Sequence, residues 1–373
     1  MKTILDTGCH IVAQAAKSAK VDFVSAYPIT PQTSVVEEIA SMVQRGEIDC
    51  RFLPVEGEHS AMAACVAAAA TGARTFTATS SQGLLYMHEV LHMASGCRFP
   101  IVMANVNRGV FAPWTIWVDH QDSLSQRDTG WLQYYCASLQ EVFDTIIQAY
   151  KVAEQIKIPI MVNLDGFVLS HCVMAVQIPD QEIIDRFLPT VEPAWRFDPQ
   201  NPTSYVSVTG PDLYEGFRTS LHQDQLKALD LMVQAAREYQ ELTGLYHGDL
   251  LDLYRCDDAN TFVFAMGSMA EELKLSVDIL REEGIKIGLI RLRVFRPFPK
   301  EAISKVLPED ATVVVLDRNF AFGHEGGILF SELKDALFTR RDNVRLLNQI
   351  MGIGGIDLTY QYMAEQVKNL LGL

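Results

Sequence analysis

Apolar and polar positions alternate along this chain on two different periods. Short apolar runs closed by turn formers read as buried strands, and stretches whose apolar residues recur every three or four positions read as amphipathic helices. On this basis strands are expected at 21–26, 51–54, 74–78, 100–105 and 159–164. Helices are expected between them at 8–20, 31–45, 58–71, 83–94 and 139–156. Such alternation predicts a mostly parallel sheet with helices on both faces. From Gln177 the pattern dissolves: Pro179, Pro189, Pro193, Pro199, Pro202 and Pro211 punctuate an irregular stretch, most loop-like from Trp195 to Gly210. A long helix at about 223–242 follows, and Gly244 and Gly248 break the chain after it. A second alternating unit begins near Asn260, with strands at 261–266, 286–292, 312–316 and 344–348 and helices at 270–283, 300–306, 328–338 and 358–370. The expected fold class is α/β, with two doubly wound domains: residues 1–255, including the Pro-rich extension from about 178, and a smaller domain at 256–373.

One helix breaks the pattern. From Ser60 to Thr71 it is nearly all Ala, with Met62, Cys65 and Val66. A face that small lets its backbone lie close against another element, so it belongs in a tightly packed place. It is entered through Val55-Glu56-Gly57-Glu58-His59-Ser60-Ala61-Met62, where two carboxylates stand one residue apart as a strand gives way to a helix. In open α/β sheets, ligands bind at the carboxyl ends of strands beside helix N-termini, and a carboxylate there is stabilised by the helix dipole. Glu58 is therefore either a residue that holds or shares a proton at a site, or a capping acid of the first turn. Other strands end in Tyr27-Pro28-Ile29-Thr30-Pro31, Ser80-Ser81-Gln82-Gly83, Asn107-Arg108-Gly109 and Asp165-Gly166. Together these segments would form a polar rim at the sheet's carboxyl edge.

Composition narrows the classes of function. A length of 373 residues suits about two domains. The net charge, 31 − 46 = −15, argues against nucleic acid or an anionic membrane surface as the main partner. Asp6 stands where a signal peptide needs an apolar run, and no apolar stretch approaches the roughly 20 residues of a membrane span. Seven cysteines are scattered singly with no CxxC, the pattern of free thiols in a reducing cytoplasm and not of an iron–sulfur or zinc site on this chain.

Few motifs suggest independent chemistry. Gly323-His324-Glu325-Gly326-Gly327 lacks the spacing of a nucleotide loop and has no following Lys-Ser/Thr, so a turn at a domain or subunit contact is the better reading. Asp119-His120-Gln121-Asp122 offers either a metal or acid–base cluster or local loop hydrogen bonding, and the second is favoured because adjacent side chains seldom point the same way. His88 and Glu89 read as helix-face residues. Arg108 closes the apolar strand Ile101-Val102-Met103-Ala104. A guanidinium there needs an anion, which is either a bound carboxylate or a neighbouring acidic side chain. No GxSxG, Ser-Lys or Cys–His arrangement supplies a nucleophile.

Ala26-Tyr27-Pro28-Ile29-Thr30-Pro31, Glu56–Met62, Thr77–Leu84, Asp119–Asp122, Gln126–Trp131, Asp165–His171, Met266-Gly267-Ser268, Arg291–Pro299 and Asp317-Arg318-Asn319 resemble, in order, the α subunit of pyruvate:ferredoxin oxidoreductase and related 2-oxoacid:ferredoxin oxidoreductases. The resemblance implies thiamine diphosphate chemistry, with a pyrimidine-binding first domain and a transketolase C-terminal-like second domain. Glu58 matches the family's glutamate that hydrogen-bonds the aminopyrimidine ring, and Glu56 matches no such role. Thr30 and Arg108 match the pair that holds the oxoacid's carbonyl and carboxylate. Tyr27, Pro28, Ile29, Ser81 and Gln82 are carried over as cofactor-contacting positions. No metal ligand is expected on this chain, because the Gly-Asp-Gly…Asn-Asn signature that binds Mg²⁺ and the diphosphate is absent.

In the family that signature lies on a separate β subunit, and iron–sulfur clusters lie on partner subunits. The resemblance therefore implies β, γ and δ partners, a 2-oxoacid and coenzyme A as substrates, and ferredoxin or a similar acceptor. Pyruvate leads as the substrate by frequency in the family. Phe111 and Trp114 follow Arg108 and are bulkier than expected for a pyruvate enzyme, so they either stack on an aromatic or branched oxoacid such as phenylglyoxylate or pack against the β subunit. Two other classes stay open: a non-catalytic scaffold subunit, and a stand-alone nucleotide-binding enzyme using Gly323–Gly327.

Overall fold

A computed structural model describes residues 1–190, 192–193, 196–338 and 343–373. The strands are β1 (Lys2–Thr7), β2 (Phe23–Ala26), β3 (Arg51–Pro54), β4 (Thr75–Thr79), β5 (Val102–Asn107), β6 (Leu132–Tyr135), β7 (Ile160–Asp165), β8 (Val173–Ile178), β9 (Leu251–Tyr254), β10 (Thr261–Met266), β11 (Ile287–Leu292), β12 (Val294–Arg296), β13 (Thr312–Asp317) and β14 (Arg345–Ile350). The helices are α1 (Gly8–Ser18), α2 (Thr33–Gln44), α3 (Glu58–Ala70), α4 (Ser81–Tyr86), α5 (His88–Gly96), α6 (Gln121–Leu124), α7 (Leu139–Ile156), α8 (Gln181–Phe187), α9 (Pro211–Thr243), α10 (Met269–Glu282), α11 (Lys300–Val306), α12 (Ile328–Leu337) and α13 (Tyr360–Leu371).

The first sheet runs β12-β6-β7-β5-β4-β2-β3, parallel except for β12 at the edge. Helices α1, α2, α7 and α9 cover one face, and α3 and α5 cover the other. The second sheet runs β14-β13-β10-β11-β9, with β9 antiparallel at its edge. It lies between α10 and α13 on one side and α11 and α12 on the other. The chain is thus α/β with two doubly wound sheets. A separate antiparallel pair, β1 with β8, spans the chain start and the segment after β7.

Helix α3 shows why its composition matters. Ala61, Met62, Cys65, Val66, Ala69 and Ala70 are buried at helical spacing, and Ala63 and Ala67 are exposed. Small side chains let the axis settle onto β2 and β4 beneath it, and the Cys65 thiol lies over the Ser25 and Phe76 carbonyls. In α7, Ser138 caps the Glu141 N–H, and the amphipathic helix buries an unbroken inner face.

Five strands are additions to the sequence expectation: β1, β6, β8, β9 and β12. Each is an edge strand, a short strand or part of the small pair, and takes its partner from far along the chain. Helix α9 begins at Pro211, twelve positions before the expected Gln223; its first ten residues lie in solvent and carry no buried stripe that a periodicity could reveal. Pro211 at the first helical position suits its missing N–H. Of the expected loop from Trp195 to Gly210, Trp195 lies outside the described residues, and 196–210 form neither helix nor strand. The expected single helix at 83–94 is two, α4 and α5, meeting at Met87.

The two sheets are tied together by buried polar contacts. Strand β12, which follows β11 almost directly, hydrogen-bonds to β6 of the first sheet. Arg291 and Arg293 reach Glu141 on α7 at 2.7 and 2.8 Å. Arg293 also donates to Thr145 and Gln148, and Arg291 to the His247 carbonyl.

Candidate active site

The carboxyl ends of β2, β3, β4, β5 and β7 deliver the polar segments to one edge of the first sheet. Glu58, the first residue of α3, lies there with 8% of its surface exposed. Burial pushes its carboxyl above the ordinary range, opposed by a hydrogen bond from its own backbone N–H. Its carboxylate lies directly over Gly83: a Cβ at that position would stand 2.6 Å from Glu58 Oε1 and 2.6 Å from Thr79 Oγ1. Only glycine lets the acid occupy that place. Glu56, its neighbour in sequence, is exposed and accepts from Ser60 Oγ.

Around Glu58, β4 ends in polar groups that find no partner among the described residues. The Thr79 and Ser80 hydroxyls and both amide atoms of Gln82 are buried and unpaired. Buried polar atoms normally have partners, so four such groups beside a buried acid mark a place that a polar ligand completes. Ser81 differs: its N–H donates to Asp122 at 3.0 Å and its hydroxyl to the Gly109 carbonyl at 2.7 Å.

Arg108 continues β5 and is only 4% exposed. Its Nε donates to the Thr115 carbonyl at 2.8 Å and its Nη1 to the Thr30 carbonyl at 2.9 Å. Neutral carbonyls are thus its hydrogen-bond acceptors, and it forms no ion pair among the described residues. The salt bridge weighed for it from sequence is not made. Burial lowers its basicity, with the nearby Asp122 charge acting the other way, so a partly desolvated guanidinium stands here with no ion-pair partner among the described residues. The Trp114 ring lies 5.8 Å from the guanidinium and stacks on Phe111 at 4.9 Å.

Tyr27, Pro28 and Thr30 are exposed and Ile29 is half-buried. The turn they form is pinned from behind by the buried Gln32, whose amide donates to the Ala78 carbonyl on β4 and accepts from the Ile29 N–H. The structure therefore joins Thr30, through its carbonyl, to Arg108, and brings Glu58 and Thr79 together over Gly83. The Ser80–Gly83 turn lies between the two groups.

The Asp119–Asp122 motif sends its side chains in different directions. Asp119 accepts from the Gln121 N–H and lines a cleft of about 530 Å³ with Phe111, Phe320 and Phe322. His120 Nε2 meets Asp165 Oδ1 at 2.7 Å. Asp122 is fully buried and accepts five hydrogen bonds. No group of three metal-binding side chains occurs among the described residues.

Asp165 is a residue whose importance sequence reasoning missed. Besides His120 it accepts from the Ser268 N–H and hydroxyl and from Arg318 at 2.9 Å. It thereby joins the carboxyl ends of both sheets under the site. Burial alone would raise its pKa, but His120, Arg318 and Ser268 hold it well below the usual carboxylate range. The available signal was the co-occurrence of Asp165-Gly166, Gly267-Ser268 and Asp317-Arg318, each at the end of a strand. The glycine loop at Gly323–Gly327 lies against Asp317 and Asn348, where Asp317 accepts the Leu329 and Phe330 N–H groups and caps α12.

Residues 14–237 match the family described as pyruvate flavodoxin/ferredoxin oxidoreductase, thiamine diphosphate-binding. Residues 259–363 match pyruvate:ferredoxin oxidoreductase core domain II. The chain belongs to the pyruvate:ferredoxin oxidoreductase family. It is 44% identical over 369 residues to the ketoisovalerate oxidoreductase subunit VorA of Pyrococcus horikoshii, covering 98% of this chain and 93% of that one. It is 44% identical over 370 residues to the pyruvate synthase subunit PorA of Methanosarcina barkeri, covering 98% and 92%. Among solved structures, a 2-oxoglutarate:ferredoxin oxidoreductase from Magnetococcus marinus shares the fold, with a TM-score of 0.78 at 18% identity, over 99% of this chain and 65% of that one. A split-gene transketolase shares it more distantly, with a TM-score of 0.56 at 12% identity and 99% of both chains covered. The chain is thus an oxidoreductase subunit of a thiamine diphosphate-binding family. No helix among the described residues is long and apolar enough to cross a membrane.

Proposed function

We propose that this chain is the α subunit of a 2-oxoacid:ferredoxin oxidoreductase that oxidatively decarboxylates a small aliphatic 2-oxoacid, pyruvate first, to its coenzyme A thioester and CO₂. The observation that carries the reading is Arg108: a buried guanidinium with no ion pair among the described residues, held beside Thr30 at the edge where Glu58 is also buried. A planar fork of this kind takes a carboxylate.

The residues fit thiamine diphosphate on one side only. Thr79, Ser80 and Gln82 offer groups unpaired among the described residues to an aminopyrimidine ring, and Glu58 offers its buried carboxyl beside them. No matching set for Mg²⁺ and the diphosphate occurs in the sequence. When bound, the cofactor accepts the electron pair left by decarboxylation, which no side chain can do. The chain's own residues do the rest. Glu58, its carboxyl raised by burial, exchanges a proton with a ring nitrogen. Arg108 binds the substrate carboxylate, and the Thr30 hydroxyl orients the carbonyl. The Phe111–Trp114 pair shields Arg108 from water, which strengthens its grip on an anion.

Glu58, Thr30 and Arg108 act as the catalytic and substrate-binding residues in this reading, with Tyr27, Pro28, Ile29 and Gln82 facing the cofactor. Ser81 serves it by shaping the turn, since its own polar groups are engaged. The diphosphate, Mg²⁺ and the iron–sulfur clusters belong to β, γ and δ partners, with ferredoxin as the acceptor. The names of the relatives favour a second substrate, 3-methyl-2-oxobutanoate, because subunits of ketoisovalerate and pyruvate enzymes are equally similar. The test is reconstitution with the partner subunits and coenzyme A-dependent dye reduction with each oxoacid. Pyruvate should give the highest kcat/KM; a preference for the branched acid would reassign the substrate, and no turnover with any oxoacid would overturn the reading.

A further inference from the structure

We infer that Asp122 is the positioning residue that sets the substrate and cofactor halves of the site against each other. The inference rests on the functional reading above. Asp122 begins no strand and touches no open surface; it lies fully buried in α6. Its Oδ2 accepts from the Arg108 N–H at 3.1 Å, the Ser81 N–H at 3.0 Å and Asn105 Nδ2 at 3.3 Å. Its Oδ1 accepts from Asn107 Nδ2 at 2.8 Å and the Ser123 N–H at 2.7 Å.

Two of these donors are the backbone of the residues that matter most. The Arg108 N–H fixes where the guanidinium leaves β5. The Ser81 N–H fixes the turn after β4, where Ser81 has a positive φ of 49° and Gly83 bears Glu58. One carboxylate oxygen therefore joins the ends of two neighbouring strands, β4 and β5, that carry different halves of the site. Strand pairing at Thr79↔Asn105 fixes the strands themselves, but not the turns beyond them.

The choice of an acid is informative. Only a carboxylate turns two acceptor oxygens and no donor toward five donors, which share its roughly four lone-pair sites. An amide of the same shape would turn an NH₂ toward donors on one side. The charge has a cost, since burial raises the pKa of Asp122 and the hydrogen bonds from Asn107, Ser81, Ser123 and Arg108 oppose that rise. A core that needed only packing would be better served by an apolar group. The same charge also lies close enough to Arg108 to support its protonation.

The test uses the assembled enzyme, with kinetics expressed per bound cofactor, and the affinity of the cofactor-free assembly for thiamine diphosphate. Asp122→Asn should raise the KM for the oxoacid and the Kd for thiamine diphosphate together, with kcat/KM down on the order of 100-fold, the cost of a misplacement of about 1 Å. Arg108→Lys should move the KM alone. If Asp122→Asn lowers the melting temperature but leaves both constants within about twofold of the parent, Asp122 is a structural acid and the inference is overturned. Should that variant fail to assemble, Asn105→Ala removes one donor and keeps the carboxylate. It should shift the same two constants by a smaller factor, and no shift in either overturns the inference. A parent enzyme inactive with every oxoacid would refute the functional reading, and the thiamine diphosphate affinities would still judge Asp122.

Discussion

A single buried acid shows how environment makes chemistry out of a side chain. Glu58 is held over Gly83 with its carboxyl raised by burial. Glu58→Gln should lower kcat by about 10²–10⁴, the usual worth of a positioned acid–base group, with assembly intact; near-normal turnover of a cofactor-loaded variant would remove Glu58 from the mechanism. The stability effect has the opposite sign. A raised pKa means that the folded state favours the protonated acid, so Glu58 is most stabilising below the ordinary Glu pKa, and that contribution is lost as pH rises through its raised value. Gln mimics the protonated form, so the cofactor-free variant should melt above the parent at pH 7–8, with the gap closing toward pH 4; melting curves across that range check it. Arg108→Lys keeps the charge and loses the fork, and should raise the oxoacid KM markedly with little change in kcat. Motif residues such as Glu58, Thr30 and Arg108 could be singled out from sequence because polar groups after apolar strands are conspicuous. The commitments of Asp122 and Ser81 were not legible, since each depends on donors brought in from other strands.

At the scale of elements, the pairing of α7 with β11 decides how firmly the sheets are joined. Glu141 lies fully inside, between Arg291 and Arg293. Burial opposes its ionisation, but the two guanidinium groups bring its pKa down to about 2. Its stabilising contribution is therefore present above the ordinary Glu range and is lost as pH falls from about 4.5 toward 2. Glu141→Gln leaves Arg293 with no ion pair among the described residues and Arg291 with Asp252 alone, and breaking a buried pair in this way costs about 3–5 kcal/mol. The variant should unfold at lower denaturant and show a flatter acid limb, and an unchanged acid limb would show that the triad contributes nothing. Central elements such as β10, α7 and α10 were legible because local periodicity and tertiary burial agree there. Strands β9 and β12 were not: each is only a few residues long and becomes a strand through pairing with a distant partner. Arg291–Pro299 could be recognised as a unit, but nothing in its pattern shows that its end crosses to the first sheet.

On the scale of the whole molecule, the carboxyl edges of the two sheets meet at Asp165, and the surface around them is unusually apolar. Tyr27, Tyr86, Phe111, Trp114, Trp117, Phe320 and Phe322 all expose large rings, with Trp114 at 72% and Phe322 at 81%. Phe111, Phe320 and Phe322 line one cleft and Trp114 stacks on Phe111; exposed aromatic surface of this kind marks a contact site, and in the proposed reading it adjoins residues that supply only part of a cofactor site. The unpaired groups at Thr79, Ser80 and Gln82 suit a neutral ring, whereas the diphosphate carries the charge and gains most of its binding from Mg²⁺ and oxygen ligands. The chain's net charge of −15 would also disfavour an unscreened polyanion. A partner that covers the aromatic rim and brings the metal would solve both problems at once. Contacts that hold obligate subunits together commonly bury roughly 2,000 Å² or more and are more apolar than ordinary surface. The isolated chain should therefore self-associate, and calorimetry with thiamine diphosphate and Mg²⁺ should show little heat until the β subunit is added. Charged replacements of Trp114 and Phe322 should improve its solubility alone and weaken assembly. Micromolar cofactor binding by a well-behaved monomer would overturn the split site, because all the diphosphate ligands would then have to come from this chain.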